Sequence, residues 1–160
     1  MNNTVSPRLV FFDVDGTLSA PSFHDGSRLV IGFPEESWHD CCALRGENSY
    51  DLCKPVLPVK RYAARRKEEG ALLYVLTTCS EDVEVPGKQR FIQRCYPGLF
   101  EELLHVKSDK EKLTAMEETA RRHGLTLADC ELVEDTYATL LYVMGFGVTP
   151  THLSLLVSDL

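Results

Sequence analysis

The apolar run Leu9-Val10-Phe11-Phe12 breaks abruptly into Asp13-Val14-Asp15-Gly16-Thr17. Four large apolar residues in a row are too few for a helix and suit a strand buried on both faces. A strand is therefore predicted over residues 8–13. The same kind of run recurs. Ala71 to Leu76 predicts a second strand stopping at Thr77, Leu103 to Val106 a third, Cys130 to Val133 a fourth ending in Glu134-Asp135, and Leu153 to Val157 a fifth. Helical spacing fills the intervals. A helix is predicted over 58–69, with Leu57, Tyr62 and Ala63 as its apolar stripe and Gly70 as its stop. Pro86 suits a first helical turn, and Phe91, Ile92, Cys95 and Tyr96 repeat at helical spacing before Gly98. Ser108 or Asp109 can cap a helix whose inner stripe is Leu113, Met116 and Ala120, with Gly124 beyond it. Thr136 to Met144 reads as the last helix, ended by Gly145. Strands alternating with helices predict an α/β fold: a Rossmann-like three-layer sandwich around a mostly parallel five-stranded sheet.

One stretch lacks this order. Residues 19–53 hold Pro21, Gly26, Gly32, Pro34 and Gly46 and little periodicity, and are expected to form an irregular flap with a short strand at Arg28 to Ile31. There is no repeat and no linker long enough to divide the chain, so residues 1–160 are expected to form a single domain carrying this insert.

Composition narrows the function classes. A formal net charge of −7 argues against a generic nucleic-acid binder, which needs a basic surface. The apolar-rich tail from Leu140 to Val157 is interrupted by Thr149, Pro150, Thr151 and His152, which is unlike a membrane span. Leu9 to Phe12 is too short for a secretory signal, so a cytoplasmic protein is expected. The six cysteines form no Cys-x-x-Cys pair and read as reduced thiols.

The candidate chemistry lies at the strand ends. In an open α/β sheet, ligands bind outside the carboxyl ends of the strands. Strand one ends in Asp13 and Asp15, strand two in Thr77 with Thr78 beside it, and strand four in Glu134 and Asp135, while Lys110 follows strand three at a helix start. All should meet on one edge of the sheet. Carboxylates at the end of a buried strand are costly unless they are paired or hold a cation. Together they point to Mg²⁺-assisted phosphoryl transfer.

The motif Asp13-x-Asp15-Gly16-Thr17, followed in order by Thr77, a lysine and the acidic pair Glu134-Asp135, resembles the haloacid dehalogenase-like (HAD) hydrolase superfamily, across about residues 8–157. The resemblance implies a Mg²⁺-dependent phosphatase in which Asp13 is the nucleophile and forms an aspartyl-phosphate. Asp15 would be the general acid and base, and its backbone carbonyl a metal ligand. Gly16 permits the tight turn, Thr77 and Thr78 would contact phosphate oxygens, and Lys110 would offset the negative charge. Asp13, Asp15, Glu134 and Asp135 would hold the metal. Lys110 is chosen over Lys107 and Lys112 for its place at the helix start. One departure is Thr139, which stands where many members have a further acidic residue. The stretches from Thr17 to Thr77 and from Thr77 to Lys110 are too short for a full cap domain. Capless members tend to accept larger substrates or to cover the site by self-association. The layout also loosely resembles the phosphatase domain of phage-type polynucleotide kinases. That admits a nucleotide or polynucleotide substrate, which the acidic charge disfavours.

Simpler readings stand beside these. Asp-Gly is a common turn signal, and Glu134-Asp135 could cap a helix. A non-catalytic HAD-like binding module is the alternative to an enzyme. His24, His39, Asp40, Cys41, Cys42 and Cys53 are zinc-type residues, but their spacing matches no regular zinc pattern. The basic residues Lys60, Arg61, Arg65, Arg66 and Lys67 read as a solvated helix face.

Overall fold

The computed structural model describes residues 7–20, 23–24, 29–30 and 35–157. Its centre is β1 (Leu9–Phe12), every residue of which is fully buried. On one side β1 pairs in parallel with β6 (Leu72–Thr78), and β6 with β7 (Glu102–Val106). On the other it pairs in parallel with β8 (Cys130–Glu134), and β8 with β9 (Thr149–His152). The order is thus β7-β6-β1-β8-β9, all parallel. Leu9 stands in register with both Leu72 and Cys130, so β1, β6 and β8 end close together.

Successive strand residues point to opposite faces, and the two cores follow that parity. Val10, Phe12, Leu73, Val75 and Val133 pack with Val59 and Ala63 of α2 (Leu57–Glu68) and Phe91 and Cys95 of α3 (Glu84–Cys95). Leu9, Phe11, Tyr74, Leu76, Cys130 and Leu132 pack with Met116 and Ala120 of α4 (Asp109–Arg122) and Leu140 and Val143 of α5 (Tyr137–Met144). The α/β sandwich with a parallel five-stranded sheet is therefore the observed architecture.

Three local expectations are corrected. Leu153–Val157 forms a short helix, α6, and the fifth strand is β9 immediately before it. Leu153 and Leu156 pack on the α2–α3 core while Leu155 and Val157 are exposed, a three-residue spacing rather than alternation. Pro150 is tolerated because β9 is an edge strand. In α2 the buried stripe is Val59, Ala63 and Arg66, and Leu57 is exposed.

The third correction concerns the insert, which is not simply irregular. β2 (Ser19–Ala20) pairs antiparallel with β5 (Lys54–Pro55), and β3 (Phe23–His24) with β4 (Leu29–Val30), the latter inside the expected strand. Between them lies α1 (Glu35–Arg45), followed by a 3-10 turn at Gly46–Asn48. Trp38, Cys41 and Cys42 stand at i, i+3 and i+4 and supply the inner face of α1. Leu44, the large aliphatic residue of this helix, is exposed, so apolar periodicity does not disclose it. All six cysteines are buried free thiols. Among the described residues the insert builds no separate cap domain, and no helix is long and apolar enough to cross a membrane.

Candidate active site

Just past β1, the chain makes a closed loop. Leu18 N–H donates to Asp13 O at 3.2 Å, Ser19 N–H to Val14 O at 2.9 Å, and Gly16 N–H to Ser19 O at 3.0 Å. Gly16 has φ +79°, and a Cβ there would lie 2.2 Å from Asp135 Oδ2. The left-handed backbone calls for glycine, and a side chain there would push the Asp135 carboxylate aside.

Asp13 continues the parity of Leu9 and Phe11, and Glu134 that of Cys130 and Leu132, so both face the α4 layer. There they meet Lys112. Its Nζ lies 3.1 Å from Asp13 Oδ1 and 2.7 Å from Glu134 Oε2, with the lysine side chain 2% exposed. Glu134 Oε1 accepts the backbone N–H groups of Asp135 and Thr136 at 3.1 and 3.3 Å. Burial pushes Asp13 up to about 7, with Lys112 opposing the rise and Glu134 and Asp15 adding to it. Burial likewise raises Glu134. Burial alone would lower the Lys112 ammonium, but Asp13 and Glu134 outweigh it and hold it above its usual range.

Lys110 is corrected here. It is exposed on α4, while Lys112 takes the place beside Asp13. The reason is helix phase: Lys112, Met116 and Ala120 share one face at four-residue spacing, and Met116 and Ala120 are core. That stripe is the signal in the sequence that places Lys112, rather than Lys110, beside Asp13.

Thr77 has the opposite parity, that of Leu73 and Val75, and faces α3. Its Oγ1 accepts from Lys88 Nζ at 2.9 Å, and the Thr78 carbonyl accepts from the same ammonium at 2.7 Å. Lys88 is fully buried and reaches Asp15 Oδ2 at 2.8 Å. Asp15 Oδ1 accepts from the Tyr50 hydroxyl at 2.9 Å. Sequence reasoning missed Lys88 and Tyr50 as partners of Asp15, because only folding brings α3 and the insert to the loop after β1. It also missed His152, whose Nε2 lies 3.0 Å from the Asp135 carbonyl while its ring stacks on Tyr137 at 4.2 Å.

Asp13, Glu134 and Asp135 offer oxygens within 4.8 Å of one another. The chemistry of this set fits Mg²⁺, which takes few carboxylates and hard oxygen ligands. Asp13 and Asp135 are the better placed ligands, since both oxygens of Glu134 already accept from Lys112 or from backbone N–H groups. Thr139 is buried in α5 and adds no carboxylate.

No protein-family model matches the sequence, and no match is found among curated proteins. Solved structures do match. The chain is similar to a predicted phosphoglycolate phosphatase of Haemophilus somnus, with TM-score 0.64 and 18% identity over 89% of this chain and 83% of that one. It is similar to a HAD-superfamily hydrolase, subfamily IA, of Geobacter sulfurreducens, with TM-score 0.57 and 14% identity over 91% and 88%. It also matches the phosphatase domain of a Bacteroides fragilis protein solved with Mg, with TM-score 0.52 and 11% identity over 91% of this chain and 35% of that one. With its sheet order, its layers and these neighbours, the chain has the fold of the HAD-superfamily hydrolases.

Proposed function

We propose that this chain is a Mg²⁺-dependent phosphomonoesterase that acts through a phospho-aspartate on Asp13. The observation that carries the reading is Lys112, a buried ammonium shared between Asp13 and Glu134 at the carboxyl end of the central strands. A buried cation on a strand-end carboxylate holds that carboxylate in place and offsets the charge that gathers there when a phosphoryl group is transferred. Asp13 attacks phosphorus as its carboxylate, an Asp13–phosphorus bond forms, and the bond to the leaving oxygen breaks. Asp15, two residues on, gives a proton to that oxygen and then takes one from the water that cleaves the phospho-aspartate. Bound Mg²⁺, held by Asp13 and Asp135 with Glu134 beside them, would screen phosphate from carboxylate. Thr77 and Thr78 would line the phosphate site, and the substrate would be a phosphate monoester handled in the cytoplasm without membrane involvement.

The test is hydrolysis of p-nitrophenyl phosphate by the native chain with Mg²⁺, with EDTA, and by Asp13→Asn. Activity that needs Mg²⁺ and disappears in Asp13→Asn is expected. Full activity in Asp13→Asn would overturn the nucleophile, and full activity in EDTA would overturn the metal. A native chain that binds phosphate and Mg²⁺ without turnover on any phosphate monoester would mark a binding module instead.

A further inference from the structure

Asp15 sits on a loop whose neighbours Val14, Thr17 and Leu18 are buried, but its own side chain is 45% exposed. A carboxylate there would ordinarily sample several rotamers. Instead each oxygen has its own donor: Lys88 on Oδ2 at 2.8 Å and the Tyr50 hydroxyl on Oδ1 at 2.9 Å. Both donors are themselves immobile. An ammonium has three hydrogens, and Lys88 spends them on Asp15, Thr77 Oγ1 and the Thr78 carbonyl, with Glu84 Oε1 a further 3.4 Å away. Glu84 is in turn fixed by Ser80 N–H, Ser80 Oγ and Glu81 N–H. Tyr50 is 1% exposed, its ring lies edge-on to Trp38 at 5.7 Å, and a Cβ on Gly87 would come within 3.2 Å of it. The Lys88 ammonium also stands 5.6 Å from the Tyr50 ring centroid. An ammonium with all its hydrogens so used has none for a phosphate.

We infer that Lys88 and Tyr50 are positioning residues that fix the Asp15 carboxylate for proton transfer to and from the substrate, one from the core helix α3 and the other from the insert. The inference rests on the phosphatase reading and deepens it. The two donors are not equivalent. Lys88 can only donate, so Oδ2 stays bound to it. The Tyr50 hydroxyl can rotate and accept, so Oδ1 is the oxygen that exchanges a proton. Through Tyr50 the insert, which belongs to none of the sheet layers, takes part in the chemistry of the central loop.

A proton donor matters most when the leaving oxygen is a poor leaving group. Native protein, Lys88→Met and Tyr50→Phe are therefore compared by kcat/KM on two substrates with Mg²⁺: p-nitrophenyl phosphate, whose leaving group departs without a proton, and an alkyl phosphate, whose leaving group needs one. Lys88→Met is expected to lose about 100-fold on the alkyl phosphate, the lower end of what general acid catalysis supplies, and far less on the aryl phosphate. Tyr50→Phe is expected to move the same ratio by about 5- to 10-fold, the worth of one hydrogen bond. Placed on Asp15→Asn, Lys88→Met should cost almost nothing more, because residues acting through one group are non-additive. Equal losses on both substrates, or full additivity with Asp15→Asn, would overturn the inference while leaving the phosphatase reading intact. An inactive native chain would overturn the phosphatase reading and this inference with it. Circular dichroism and thermal melting report whether Lys88→Met folds. If it does not, the substrate ratio of Tyr50→Phe decides, and an unchanged ratio there counts against the inference.

Discussion

Replacing Lys112 by Met tests the electrostatics of the site most directly. The ammonium is 2% exposed and holds two carboxylates whose side chains are 9% and 2% exposed. Methionine keeps most of the volume and removes the charge. Removing one partner of a buried ion pair costs about 3–5 kcal/mol, because the other charge is left uncompensated. That figure should apply in full only where Asp13 is ionised. Burial already lifts Asp13 to about 7, and Lys112 is the group that restrains it, so the variant lifts it further. A carboxyl with a raised folded pKa contributes stability at low pH and loses it as pH rises through that value. The expected deficit in urea unfolding with EDTA is therefore about 3–5 kcal/mol at pH 8. It should shrink at pH 5.5, where Asp13 carries a proton and only the Glu134 contact is lost. Lys110→Ala, an exposed change on the same helix, should stay within about 0.5 kcal/mol. A Lys110→Ala deficit as large as that of Lys112→Met, or a Lys112→Met deficit equal at both pH values, would refute the reasoning.

Three further outcomes follow from the same geometry. In EDTA at pH 8, Asp13→Asn should be more stable than the native chain by about 4 kcal/mol, since it removes an ionised carboxylate that burial raises from 3.8 to about 7 while Lys112 keeps Glu134 as its partner; the gap should close as pH falls from 7 towards 4, and a gap constant with pH would sink the assignment. Mg²⁺ should raise the melting temperature more at pH 8 than at pH 5.5, because protons compete with the cation for Asp13; thermal melts with and without Mg²⁺ at both values decide it. Gly16→Ala should weaken Mg²⁺ binding by about 10-fold or more by calorimetry, since the added Cβ meets Asp135 Oδ2 at 2.2 Å on a backbone with φ +79°. Unaltered Mg²⁺ affinity there would mean that Asp135 is not a ligand.

Much of the fold is legible in the sequence. Strands such as Leu9–Phe12 announce themselves because a central parallel strand is buried on both faces and so is mostly apolar; Cys130–Glu134 departs from this at Glu131, which is buried but accepts from Thr151 and Tyr62. Their polar endings followed at once, since the run stops where the sheet edge begins. The errors came where the local pattern was ambiguous. Leu153–Val157 is as apolar as a strand, and only its packing on α2 made it a helix. α1 escaped because its inner face is Trp38, Cys41 and Cys42 rather than aliphatic residues. Lys110 lies nearer the strand end in sequence, but helix phase favours Lys112, since two residues along a helix turn a side chain away from the sheet.

The sequence by itself determined which residues end the central strands, because hydrophobic burial along β1 and β8 is a local, periodic property written in consecutive positions. Only the tertiary structure decided which cations answer them. Lys112 arrives from α4 and Lys88 from α3, on opposite faces of the sheet, and Tyr50 comes from the insert. None of these is near its carboxylate in sequence. Each is brought there by helix phase and layer packing, and in the low-dielectric interior a charge so placed must find its partner or give up its charge.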